Sequence, residues 1–443
     1  MLDEKLHPQK RREKTMNTSS DHAPVALAGI GVGPANLSLA ALLHPHPQIT
    51  SAFFDQRSEF HWHPGLMLPN STVQISFMKD LVSLVDPTSK LSFLAYLAKQ
   101  RRLLCFINAN FTRVLRREFN EYYRWACSQL TNLHFGRSVE AVTVENGVIA
   151  LHGSSWRRTA KNLVLGTGLQ PAVPECARPW LGATLFHASQ FLTQNTPVKD
   201  KRVVVIGGGQ TGAEIFQHLI SDTAVMPASV TWVSRRANYL PLDESNFTNE
   251  FYTPEYSDYF YRLSESQRRQ LLAEQKLASD GVSTVLLELI YRRLYELRYV
   301  LQHPCATNLS PGRTLTRVDR RQTGWRLSLN HILHDSVEVL DADIVVLCTG
   351  YAYDTPPCLA PIADRIRRSD KGEFLVNEDY SIDWVGPAEC RIYVQNAARV
   401  QRGIADPNLS LTPWRSAIII NSVARRKLYD VVGPAPMINW QPQ

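Results

Sequence analysis

The chain has 443 residues, of which 44% are hydrophobic and 20% charged, and it carries a net charge of +7. It is too long for one ordinary core, so two or three domains are expected, and its composition excludes a disordered or fibrous chain. The positive excess is modest and scattered, as at Arg101–Arg102 and Arg116–Arg117; it fits a solvated surface or an anionic cofactor and gives no reason to expect nucleic acid.

The stretch 1–24 is polar and mixed in charge, with Lys10, Arg11, Arg12 and Lys14 close together. No apolar core follows that cluster, so it is not a secretory signal; a disordered extension is expected, with Met16 as an alternative start. Nothing in the chain reaches the roughly 18 consecutive apolar residues of a membrane helix, so no membrane insertion is expected. The seven cysteines, from Cys105 to Cys390, include no CxxC pair. That leaves neither a disulfide framework nor a zinc site. Reduced thiols in a cytoplasmic protein without a bound metal are the expectation.

From Val25 the chain reads as a short apolar strand, a glycine turn and a helix: Val25-Ala-Leu-Ala-Gly29-Ile-Gly31-Val-Gly33-Pro-Ala-Asn36. Gly31 permits the tight turn, and Gly33 lets the backbone approach a pyrophosphate that the helix N-terminus attracts; Asn36 stands where a third glycine is usual. The next apolar run, 49–55, ends on Asp55, an acid placed to accept the ribose hydroxyls of an adenosine. A dinucleotide site is expected here. Further on, 161–168 reads as a strand ending in Gly166-Thr167-Gly168, and a similar element recurs at 342–351 with Thr349-Gly350. Such turns mark the crossings between the halves of a two-dinucleotide flavoprotein, or else are ordinary strand ends.

A second fingerprint at 202–216 has Gly207, Gly209 and Gly212 in regular spacing, with Gln210 inside the turn. Its following strand ends in Ser234-Arg235-Arg236 and not in an acid. Guanidinium groups there bind the 2′-phosphate that an aspartate would repel, so NADPH is expected over NADH. The plainer alternative is that one or both arginines face solvent. Residues 262–300 carry apolar side chains at helical spacing and read as two helices separated by Asp280-Gly281. An FAD-type site followed by an NADPH-type site implies hydride transfer from nicotinamide to flavin. A disulfide reductase would need a redox cysteine pair, which is missing. Oxygen activation and electron transfer to a protein partner remain open, and intact fingerprints disfavour a silent scaffold.

Several stretches are more specific. They are His61-Trp-His-Pro-Gly-Leu-Met-Leu-Pro69, Val73-Gln74-Ile-Ser-Phe-Met-Lys79-Asp80, Asp86-Pro-Thr-Ser89, Phe93-Leu-Ala-Tyr-Leu97, Arg117-Glu-Phe-Asn-Glu-Tyr122, Thr253-Pro-Glu-Tyr256, Ala278-Ser-Asp-Gly281 and Ala405-Asp-Pro-Asn-Leu-Ser410. With these and Asn36, the chain from about 25 to 440 resembles the microbial N-hydroxylating flavin monooxygenases. These are the lysine N6- and ornithine N5-hydroxylases of siderophore biosynthesis, and the lysine branch is the more similar.

The resemblance implies an α/β fold with two Rossmann-like dinucleotide-binding domains and a small helical substrate domain. The expected boundaries are 25–198 with 345–443 for FAD, 199–240 with 308–344 for NADPH, and 241–307 for the substrate, in a homodimer or homotetramer. It implies that NADPH reduces FAD, that O2 adds at flavin C4a, and that the primary amine of a small cationic metabolite takes the distal oxygen of the hydroperoxide. Gln74 then matches a glutamine beside the flavin, and Trp62 and His63 fall in a segment near it. Lys79 matches the residue for the substrate carboxylate, Asn249 one that touches substrate and nicotinamide, and Ser410 one beside the reacting amine. Asp406 and Leu409 go with the cofactor side. L-lysine is the expected substrate, with cadaverine, putrescine, histamine or L-ornithine as alternatives. Asp280, an asparagine in the ornithine enzymes, favours an extra or distant ammonium. Arg402-Gly403 replaces the family's His-Gly and is a second place to retune the pocket.

Read without the resemblance, Lys79–Asp80 is a surface ion pair worth about 0–1 kcal/mol, and His187 caps a turn or touches a cofactor.

Overall fold

The computed structural model describes residues 23–433 and 436–441; the expected extension, up to His22, lies outside them. Val25–Ile30 pairs in parallel with Ser51–Asp55 on one side and Trp156–Leu165 on the other, and Leu133–Phe135 extends the first edge. Trp156–Leu165 changes partners along its length. Its first half runs antiparallel to Val148–Gly153, which pairs in turn with Ala141–Glu145; its second half runs parallel to Arg391–Val394. The C-terminal segment thus completes the sheet that the N-terminal segment begins. Helix Pro34–Leu43, apolar nearly all round and buried accordingly, packs against helix Thr412–Ala424.

A second sheet is wholly parallel, in the order Ala306–Pro311, Ser229–Ser234, Arg202–Ile206, Ile344–Leu347, Leu185–His187. Residues 203–206 and 344–347 are buried throughout, as continuous apolar strands covered on both faces must be. The antiparallel strands Arg313–Arg320, Trp325–His331 and Val337–Ala342 form a meander between two of its members. The α/β fold with two Rossmann-like units is therefore present.

The boundaries differ from those expected. Leu185–His187 and residues 345–347 belong to the second sheet and not to the first domain, and residues 306–307, which open strand Ala306–Pro311, belong there and not to the helical insert. The chain crosses between sheets at 166–172 and 349–352, where Gln170–Pro171 pairs antiparallel with Tyr351–Ala352 and Thr349 Oγ1 donates to the Ala172 carbonyl at 2.6 Å. Backbone pairing at sheet edges decides this, and hydrophobic pattern does not report it.

Between Ser229–Ser234 and Ala306–Pro311 lie helices Pro254–Arg262, Glu265–Glu274, Lys276–Asp280 and Thr284–Tyr295. Thr253, Ser264 and Ser283 cap three of them through side-chain oxygens, Ser264 in a capping box with Gln267. Among the described residues, no helix is long and apolar enough to cross a membrane.

Candidate active site

The helices that follow the two glycine turns differ from those capped ones. Gly33 and Gly209 are their N-caps, both extended, and neither helix has a side-chain cap. Each first turn therefore keeps N–H groups without a side-chain acceptor, at the positive end of a ten-residue helix. At Gly31, Gly207 and Gly212 the turns leave no room for a side chain. A Cβ on Gly31, at φ +86°, would stand 2.5 Å from the Gly166 carbonyl oxygen, and one on Gly207, at φ +136°, 2.1 Å from that of Cys348. A Cβ on Gly212 would stand 2.0 Å from the Gly207 carbonyl oxygen. The cradles fit two pyrophosphates.

Asn36 does not point to a ligand. It is buried, its Nδ2 donates to the carbonyls of Gly31 at 2.8 Å and Ile30 at 3.2 Å, and its Oδ1 accepts from Gln395 Nε2 at 2.9 Å. Gln395 Oε1 accepts from Arg415 Nε at 3.1 Å, and Arg415 pairs with Asp406 at 3.0 Å, both buried. Asp406 also accepts the Ala398 N–H at 2.9 Å. So Asp406, expected on the cofactor side, is engaged in a buried chain that braces the first turn from the C-terminal segment. Asp55 accepts the Val32 N–H at 2.8 Å and pairs with Arg57 at 2.7 Å, and despite its burial these partners hold its pKa below the usual carboxylate value. It fixes the turn directly; any ribose contact must share it with Arg57. Arg57, Gln395 and Arg415 carry no motif signal. Only the fold brings them to the turn.

At the second turn the two arginines separate. Arg235 is exposed, and no described residue pairs with it; Arg236 Nη1 donates to the Asp280 carbonyl at 3.0 Å, and its N–H reaches Ser234 Oγ at 3.1 Å. Gln210 is held at both ends, Oε1 accepting the Ser283 N–H at 2.9 Å and Nε2 donating to Glu214 at 3.0 Å. Glu214 pairs with Arg116 at 3.0 Å, and Arg116 also donates to the Leu66 carbonyl at 2.8 Å, so a buried ion pair joins the two dinucleotide units.

His63 lies close enough to this junction to feel the charge of Arg116. The His63 ring is open to solvent, yet surrounding protein and the charges of Arg116 and Arg57 hold its pKa down at about 4. The imidazole is therefore neutral at physiological pH. Trp62 packs on Tyr123 at 5.4 Å, and Tyr351 stands 6.1 Å from His63 and 5.1 Å from His187. His187 resolves as a turn cap: Nδ1 accepts the Ser189 N–H at 3.2 Å and Nε2 faces the Gly350 carbonyl at 3.1 Å. The Tyr351 hydroxyl and Gln74 Nε2 are buried and have no hydrogen-bond partner among the described residues. Buried donors are rarely left so. Gln74 fits a glutamine that meets the flavin.

Lys79 shares the Gln74 loop. That loop is anchored by Phe77, 5.2 Å from Phe106, and by Asp80, which accepts the N–H groups of Val82, Ser83 and Phe93 at 2.9, 2.7 and 2.6 Å. Asp80 is thus a buried loop brace and not the partner of Lys79. Lys79 is half-buried, no carboxylate among the described residues pairs with it, and desolvation alone lowers its pKa. Asp280, by contrast, has a counter-ion: Arg399 Nη2 lies 3.9 Å from Oδ1, which also accepts from Ser279 Oγ at 3.0 Å. Asn249 is exposed at the end of helix Asn246–Asn249. Ser410 is buried and donates its hydroxyl hydrogen to Asn408 Oδ1 at 2.7 Å, with Leu409 half-buried beside it. No side-chain bond joins Gln74, Lys79, Asn249 and Ser410 to one another among the described residues. Arg402 is no pocket residue. It is buried between the rings of Tyr261 and Tyr380, at 4.3 and 4.7 Å, and paired with Asp258 at 2.7 Å.

Two uncapped glycine turns, one followed by an acid and one by a free arginine, define a two-dinucleotide flavoprotein, and the absent cysteine pair separates it from the disulfide reductases. The model of the family described as L-lysine 6-monooxygenase/L-ornithine 5-monooxygenase matches residues 23–353, and the chain belongs to that family. The L-lysine N6-monooxygenase of Escherichia coli is 39% identical over 419 residues, 94% of this chain and 98% of that protein. The FAD-bound cadaverine monooxygenase of the desferrioxamine pathway from Erwinia amylovora superposes with a TM-score of 0.89 at 30% identity, over 95% of this chain and 99% of that one. An ornithine N-hydroxylase from Kutzneria sp. 744, solved with reduced FAD, NADP+ and L-ornithine, gives 0.84 at 29%, over 91% and 100%. The chain is an FAD- and NADPH-dependent N-monooxygenase.

Proposed function

We propose that this enzyme hydroxylates the terminal amine of L-lysine, giving N6-hydroxylysine for a hydroxamate siderophore. The observation that carries the choice is the balance of charge. Lys79 is a half-buried cation without a carboxylate partner among the described residues, while Asp280 already leans on Arg399. The unanswered charge is positive, so it asks for a carboxylate, which L-lysine and L-ornithine have and a diamine lacks. The 39% identity to a lysine enzyme supports lysine between these two.

Bound FAD, reduced by NADPH, supplies the activated oxygen. The chain's own residues bind and aim the amine. Lys79 holds the α-carboxylate, and Asp280 is left to accept the α-ammonium. Ser410 has committed its hydrogen to Asn408, so its oxygen is free to accept an amine N–H and turn the nitrogen lone pair toward the flavin. Asn249 gives a neutral amide contact. None of these groups is a strong base. The amine, with a solution pKa near 10.4, is made neutral by desolvation, and positioning does the rest.

Lys79→Ala is expected to raise the KM for L-lysine by roughly 10- to 100-fold, the worth of a charge-assisted hydrogen bond, while NADPH oxidation persists. An unchanged KM sinks the carboxylate assignment.

A further inference from the structure

Residues 280–283, which join the last two substrate-side helices, are tied to the NADPH turn from two directions. Arg236 Nη1 donates to the Asp280 carbonyl at 3.0 Å, and the Ser283 N–H donates to Gln210 Oε1 at 2.9 Å. The same Asp280 carbonyl faces Gly209, 3.8 Å from where a Cβ would stand. The loop has no slack elsewhere. Val282 is bonded through its N–H to the Leu240 carbonyl at 3.0 Å and through its carbonyl to the Leu242 N–H at 2.7 Å, and a Cβ on Gly281 would come within 2.3 Å of Leu242. Two side chains of the dinucleotide elements therefore hold the backbone of the 280–283 loop, Arg236 at Asp280 and Gln210 at Ser283.

Arginine suits this position because its five N–H donors lie in one rigid plane. One bond to Asp280 leaves other donors for a phosphate on the opposite edge. Arg235 is exposed and makes no such bond, so the adjacent arginines have different work. We propose that Arg236 is a positioning residue that couples NADP(H) binding to the amine pocket, whereas Arg235 supplies the discrimination for the 2′-phosphate. A bound phosphate fixes the guanidinium, the guanidinium fixes the Asp280 loop, and by reciprocity an amine held at Asp280 tightens NADP(H). This rests on the amine site including Asp280.

Three readouts on the FAD-loaded enzyme test it: amide hydrogen exchange over 280–283, the NADPH-to-NADH efficiency ratio for flavin reduction, and the amine Kd with and without NADP+. In Arg236→Met, exchange over 280–283 is expected to rise roughly tenfold, the factor of one lost hydrogen bond. In wild type, NADP+ is expected to tighten amine binding about fivefold or more, and in Arg236→Met that factor falls to near one. Arg235→Met is expected to lower the NADPH-to-NADH ratio by roughly tenfold or more and to leave loop exchange unchanged. Gln210→Met, which removes the other tether, repeats the faster exchange with the ratio retained. Unchanged exchange in Arg236→Met overturns the proposal, as does an absence of any NADP+ effect on every amine the wild type hydroxylates. Coupling seen with cadaverine and not with L-lysine upholds it and overturns the substrate assignment instead.

Discussion

Asn36 stands where the usual dinucleotide fingerprint has its third glycine, and its side chain is the centre of a small buried network. It ties the carbonyls of Ile30 and Gly31 to Gln395, and through Gln395 to the Arg415–Asp406 pair. Asn36→Gly would restore the commoner fingerprint and yet is expected to destabilise. It strands the Gln395 amide, at about 1–3 kcal/mol, and puts glycine in place of asparagine inside a helix, at about 0.3 kcal/mol. Urea unfolding should show a loss of roughly 1–3 kcal/mol, with faster FAD release. A variant as stable as wild type would mean that the network is dispensable. The glycines themselves were legible in the sequence, because the steric demand of the turn is local. The role of Asn36 was not, since its partner Gln395 lies in the C-terminal segment and comes to the turn only through strand Arg391–Val394. Arg235 and Arg236 teach the same lesson: neighbours of one type differ because only one is met by the Asp280 loop.

At the scale of elements, helix Arg116–Ser128 and helix Gln210–Leu219 are bound across the domain junction by Arg116 and Glu214, both largely buried. Removing one partner of such a pair costs about 3–5 kcal/mol, because the other charge stays buried and unpaired. Glu214→Gln, which keeps a hydrogen bond to Arg116, is expected toward the lower end of that range and should lower the thermal midpoint by several degrees. An unchanged midpoint would show that the domains do not rely on this contact. Acid should act on the same junction through His63. Its folded pKa of about 4 lies below the solution value of 6.5, so the unfolded chain binds the extra proton between those values and stability falls as pH drops from 6.5 toward 4. His63→Gln is expected to flatten the part of the thermal midpoint's pH dependence that lies in this window. An identical profile in wild type and variant would remove His63 as its source. Helices and strands of this kind follow from apolar periodicity, whereas the junction between them depends on side chains far apart in the chain.

For the whole molecule, the two fingerprints and the helical insert between the later strands foretold two Rossmann-like units, and the sheets have that form. The crossings fall at the two T-G turns read from the sequence, but the domain boundaries were drawn elsewhere because edge strand Leu185–His187 is short and carries no pattern of its own. The cofactors were legible from turn chemistry. L-lysine was expected from the resemblance alone, because the charge balance proposed to favour it depends on Arg399 reaching Asp280 and on no carboxylate among the described residues pairing with Lys79. The most direct test of this account is a competition between L-lysine and cadaverine at equal concentration, with FAD-loaded enzyme, NADPH and O2, the hydroxylated products being resolved by mass spectrometry. The account predicts that N6-hydroxylysine dominates in wild type and that the preference collapses in Lys79→Ala. Preferential hydroxylation of cadaverine by the wild-type enzyme would contradict it.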